Sequence, residues 1–125
     1  MEDIQIKLSA LWAATMFTYL LGDVIRIFSG DAKPGEMAGQ PATQWMWMAA
    51  AVLMLIPILM VALSVFLDYP LNRWVNIIVA AFLLLFNLLS ISTYPSMYDK
   101  FLLAVSLIFN GIVIWLAWNW TSASV

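Results

Sequence analysis

Neither cysteine nor histidine occurs in this chain of 125 residues. Their absence removes disulfides, thiol nucleophiles, thiolate and imidazole metal ligands, cysteine-attached haem and imidazole proton shuttling. Charge is scarce as well: five Lys and Arg against seven Asp and Glu give a formal net charge of −2. No basic run serves nucleic acid, and no polybasic collar serves an anionic lipid surface. The opening Met1-Glu2-Asp3 is acidic where a cleavable signal needs positive charge, so the first apolar segment is expected to be retained as a helix.

Apolar residues fill the space that charge leaves. The chain is 65% hydrophobic and 10% charged, against roughly 45–50% and about 25% in soluble domains. Four apolar runs, at 8–28, 45–67, 74–92 and 101–120, take up most of the sequence. Each approaches or exceeds the ~20 residues that cross a hydrocarbon layer ~30 Å thick at helical rise. The fold class read from this is an all-α membrane protein. It is expected to be one domain over 1–125, with helices near 5–28, 44–67, 72–94 and 97–120 in an antiparallel up-down bundle. Both termini then share a side, and the localisation is multi-pass membrane.

The connections carry turn chemistry. Residues 29–44 hold Gly30, Gly35, Gly39, Pro34 and Pro41, and read as an irregular aqueous loop. Thr43 is placed to cap the second helix. Asp68-Tyr69-Pro70-Leu71-Asn72 is a tight turn, and Pro95 is placed to stop the third helix. Ser96 and Asp99 have the spacing of a capping box for the fourth, with Asp in place of Glu or Gln. Within the second run, Pro57 withdraws the N–H that would meet the Leu53 carbonyl, and a kink is expected there.

The seven tryptophans fit two interfacial belts. Trp12, Trp74, Trp115, Trp118 and Trp120 fall towards the side of the termini, and Trp45 and Trp47 towards the other, together with Tyr94 and Tyr98. Lys7 and Arg73 on the first side against Arg26, Lys33 and Lys100 on the second set no orientation.

Polar groups within the apolar runs mark the candidate site, because a charge at a helix centre costs about 2.5–3.5 kcal/mol on insertion scales. Asp23 and Arg26 lie three residues apart on one helix face and are able to pair. They read either as an interfacial ion pair, with Arg26 reaching for headgroups, or as an ion or ligand site opening to the long loop. Tyr19 approaches the same face. Asn76 and Asn87 are eleven residues apart, about 20° from a common direction on the third helix. Ser106 and Asn110 form a similar stripe on the fourth. The candidate ligand or ion site is therefore Tyr19, Asp23, Arg26, Asn76, Asn87 and Asn110, in a cleft between helices one, three and four. Small and polar residues also serve plain helix packing in membranes, which shares this geometry. Met46, Met48, Met54 and Met60 on the second run show no soft-ligand spacing and read as flexible packing, so no metal and no cofactor is expected.

Three local sequences, Tyr19-Leu20-Leu21-Gly22-Asp23-Val24, Asn72-Arg73-Trp74-Val75-Asn76-Ile77-Ile78 and Ala117-Trp118-Asn119-Trp120, resemble those of a bacterial family of small four-helix membrane proteins of unknown function. The resemblance covers essentially the whole chain. It implies a bacterial cytoplasmic (inner) membrane and puts weight on Asp23, Arg73 and Asn76, and it brings no activity with it.

The functional reading is a non-enzymatic helical bundle of unknown biochemical role, acting as a small-molecule binder or as a membrane partner subunit. The alternative is an oligomeric small-molecule or ion transporter or channel with Asp23 in its pathway. An intramembrane enzyme stands third, since no nucleophile–base pair can be assembled and no catalytic residue is assigned. Expected partners are the lipid bilayer, further copies of the chain as a homo-oligomer, and a small apolar or amphipathic ligand, with no nucleic acid.

Overall fold

The computed structural model describes residues 3–30, 33, 35–37, 40–91 and 96–120. Four helices carry it: α1 (Asp3–Ser29), α2 (Gln44–Phe66), α3 (Leu71–Ser90) and α4 (Met97–Trp118). Between α1 and α2 lies a small antiparallel hairpin, β1 (Glu36–Met37) and β2 (Gln40–Pro41), with Glu36 opposite Pro41 and Met37 opposite Gln40. All four helices are long and apolar enough to span a membrane.

Each helix boundary has a local cause. α1 starts earlier than its apolar run because the polar Gln5 is buried there, with its amide donating to the Val65 and Leu67 carbonyls at 3.3 and 3.0 Å. It ends at Gly30, whose φ of 88° suits glycine, and whose N–H returns to the Ile27 carbonyl. Thr43 caps α2 as expected, its hydroxyl accepting from the Met46 N–H at 3.3 Å. A capping box closes there with the Met46 thioether where Glu or Gln is usual.

The capping box expected at Ser96 does not form. Ser96 is the N-cap of α4 but its side chain makes no capping hydrogen bond, and Asp99 turns into the bundle. The expected irregular loop at 29–44 contains the β1–β2 hairpin instead. Regular helix in α3 ends at Ser90, with Ile91 in a tighter 3-10 turn. The reach of that helix to residue 94, the stop at Pro95 and the place of Tyr94 fall outside the described residues.

α1 packs along both α2 and α4, and α3 along α4, while α2 and α3 touch only lightly. The core is Leu8, Trp12, Met60, Ala80, Leu83, Val113 and Trp120. Most other large apolar side chains point outward, among them Phe17, Phe66, Leu89 and Ile108. A bilayer solvates such a surface; water does not.

The tryptophan belts need one correction. Trp45, Trp47, Trp74, Trp115 and Trp118 are exposed, as belt residues must be, but Trp12 and Trp120 are buried. An indole enters a core when its N–H finds a partner. Trp12 donates to the Asn76 side-chain oxygen at 2.7 Å. Trp120 packs edge-on against Tyr69 with centroids 5.6 Å apart.

Candidate functional site

α3 exposes a single buried face, Asn72, Asn76, Ala80, Leu83 and Asn87, and α4 a matching one, Asp99, Leu103, Ser106, Asn110, Val113 and Ala117. Apart from Ser106 and Asn110, the polar members of these faces sort into two clusters at opposite ends of the bundle.

The first joins the start of α1, the end of α2 and the start of α3. Asn76 accepts from Trp12 at 2.7 Å and from Ser64 at 3.3 Å, and its amide donates to the Asn72 side-chain oxygen at 2.6 Å. Asn72 in turn donates to the Ser64 and Leu67 carbonyls at 2.7 and 3.0 Å, so the carbonyls freed at the end of α2 are satisfied. Arg73 performs the same service for α4, donating to the Ala117 and Trp118 carbonyls at 2.9 and 3.0 Å. Its guanidinium also lies over the Trp74 ring at 4.7 Å and near the Trp118 ring at 5.4 Å. These groups bond mainly to one another and to backbone carbonyls, and they hold helix ends together.

The second cluster surrounds a space. Arg26, in the last turn of α1, donates through Nη1 to Asp99 at 2.6 Å and through Nη2 to Asp23. Asp99 is buried in the first turn of α4, where the helix N-terminus favours a carboxylate by about 0.3–1 kcal/mol. The Asp23 side chain is 46% exposed, against 3% for Asp99. One turn back along α1, the Tyr19 hydroxyl accepts from the Asn87 amide at 2.5 Å. Nearby, Ser29 and Tyr98 form an exposed hydroxyl pair at 2.8 Å.

Between these groups lies a cavity of about 140 Å³. Its polar wall is Thr18, Tyr19, Asp23, Arg26, Asn87 and Asp99; its apolar wall includes Leu53 and Met54 of α2 and Leu83 and Phe86 of α3. All four helices contribute. Gly22 keeps it open beside the ion pair: a Cβ there would touch the Arg26 Nη1 at 3.5 Å, Leu102 at 3.7 Å and the Asp99 carboxylate at 3.8 Å. The cavity lies well away from Ser64 and Asn76, where α2 and α3 are hydrogen-bonded. Met54 is ten residues before Ser64, about 15 Å along the helix.

The full chain, residues 1–125, matches the family described as Family of unknown function (DUF6326). The chain belongs to the DUF6326 family. Among curated proteins and among solved structures nothing matches. Membership thus establishes kinship for the DUF6326 chain, and the chemistry has to come from the side chains.

Of the candidate residues, Tyr19, Asp23, Arg26 and Asn87 meet at the cavity of the DUF6326 chain, and Asn76 and Asn110 do not. Asn76 is consumed by the first cluster. Asn110 is fully buried on α4, and neither amide atom finds a hydrogen-bond partner among the described residues. The expected cleft between helices one, three and four also has a fourth wall, since α2 supplies Leu53 and Met54. Asp99 is the member that sequence reasoning passed over as a cap. The signal was available: Asp99 continues the 4-3-4-3 spacing of the buried α4 face through Leu103, Ser106, Asn110 and Val113. Among the described residues no three carboxylates gather as a metal site.

Proposed function

We propose that this protein binds a small amphipathic molecule inside a single four-helix bundle, with the polar part of the ligand at Arg26, Asp23 and Asp99. The observation that carries the reading is the half-open cavity of about 140 Å³ formed within one chain, charged on one wall and apolar on the other. An apolar cavity of about 150 Å³ holds a benzene-sized body. A packing-only role gives no reason to keep this volume beside the Arg26–Asp99 ion pair, because unfilled space forfeits packing contacts.

The bundle is an up-down antiparallel one with both termini on one side. Gln5 reaching Val65 and Leu67, and Arg73 reaching Ala117 and Trp118, support that arrangement, since each bond joins the start of one helix to the end of its neighbour. Access runs from the membrane through the lightly packed α2–α3 seam, on the loop side of the Ser64–Asn76 bond. Binding is favoured over conduction by what lies beneath the cavity. Trp12, Met60, Ala80 and Val113 form a buried core on the path to the other face.

Benzyl alcohol is a suitable probe, being a benzene-sized amphiphile. In nanodiscs it should bind the wild-type protein above the background of empty discs, by saturation-transfer NMR. Met54→Trp fills the cavity from α2 and leaves the ion pair intact, so it should remove that binding. Equal binding by wild type and Met54→Trp would place the probe elsewhere and end the proposal.

A further inference from the structure

Resting on the reading that the cavity takes a small amphiphile, we infer that its preferred occupant is a monocation: an organic ammonium with a short apolar body. The inference comes from counting charge on the wall. Asp23 and Asp99 share one guanidinium, that of Arg26, so the three groups carry a formal −1. Among the described residues, the others that line the cavity are uncharged. Lys100 follows Asp99 in sequence, but it is exposed and lines no part of the cavity, and Lys33 is exposed in the loop.

An excess carboxylate charge at the edge of a low-dielectric bundle attracts a counter-charge, and a ligand cation completes a two-by-two arrangement. Asp99 is buried and Asp23 half exposed, so a cation has a carboxylate to meet at the mouth and another further in. The same wall repels an anion, despite the presence of Arg26. Two aromatic residues, Tyr19 and Phe86, line the space, and an aromatic lining favours an ammonium group. Leu53, Met54, Leu83 and Leu103 take the apolar body. Met54 adapts its shape most readily. Nothing in this set reads a particular hydrogen-bonding pattern, so the selection is by charge and size.

The test uses three probes of one shape and different charge: benzylammonium, benzyl alcohol and benzoate. Dissociation constants are measured at neutral pH with the full chain in phosphatidylcholine nanodiscs, a zwitterionic bilayer with no net preference for cations, and empty discs serve as reference. Benzylammonium should bind about tenfold tighter than benzyl alcohol, and benzoate weakest, a factor appropriate to one partly screened ion pair. Asp23→Asn keeps an acceptor for Arg26 and brings the wall to neutral, so the preference for the cation should fall to about threefold or less. Arg26→Gln takes the wall to −2 and should widen it; should that variant fail to fold, Asp23→Asn decides the question alone, because its carboxylate is half exposed.

Equal binding of the alcohol and the ammonium, both lost in Met54→Trp, would overturn the inference and leave the binding reading standing. A cation preference that survives Asp23→Asn unchanged would overturn it as well. Binding of all three probes that ignores Met54→Trp would instead overturn the reading beneath it.

Discussion

Arg26 is the residue on which most depends, because among the described residues it is the one cation on a wall with two carboxylates. Those carboxylates are not equivalent. Asp99 is almost wholly buried, so removing its partner strands a charge, while Asp23 is half in solvent and keeps most of its hydration. Arg26→Gln should therefore cost about 3 kcal/mol, the lower edge for a broken buried pair. Asp23→Asn should cost less than about 1 kcal/mol. Reversible unfolding in mixed micelles checks both, and equal losses would contradict the asymmetry. A residue on the same α4 face behaves in the opposite sense. Asn110 buries an amide with no partner among the described residues, a burden of about 1–3 kcal/mol, and leucine has nearly its shape. Asn110→Leu should raise the thermal midpoint; a fall would mean that the amide is satisfied in the membrane. Asp23 and Arg26 stood out in the sequence because a charge within an apolar run is rare. Asp99 did not, because it sits next to a helix start, where carboxylates commonly cap.

At the scale of elements, the bundle is pinned at one end and open at the other. Lipid tails are as apolar as leucine, so hydrogen bonds and close packing do the work that the hydrophobic effect does in water. The Trp12–Asn76–Asn72–Ser64 network supplies them among α1, α2 and α3. A double-mutant cycle of Trp12→Phe and Asn76→Leu should give a coupling of about 0.6–1.7 kcal/mol, the range for hydrogen bonds between membrane helices. A coupling near zero would show that packing alone holds α1 to α3. Helix existence and number were legible from run length, since the membrane thickness sets it. The polar stripes were legible from helical period. The division of one stripe into two clusters was not: Asn76 and Asn87 share a face of α3, and only the partners across the bundle separate them. The burial of Trp12 was hidden for the same reason, because its partner lies 64 residues away. The partners of Gln5 are hidden likewise, since they are two carbonyls at the end of α2, 60 and 62 residues away.

For the whole molecule, the central feature is a bundle whose α2–α3 seam closes lightly and whose cavity faces the loop end. No sequence period encodes that space, which arises from Gly22 on one side and the sparse contact of α2 with α3 on the other. Gly22→Leu should lower the affinity for benzyl alcohol by about tenfold or more, because its side chain must enter the cavity beside Arg26 and Asp99. The alcohol titration in nanodiscs reports this, and an unchanged affinity would move the ligand away from the ion pair. The most direct test of the account compares benzyl alcohol binding to wild type and to Met54→Trp in the same bilayer. The wild type should show saturable binding that disappears when the tryptophan fills the cavity. Saturable binding of the same strength to both proteins would contradict it.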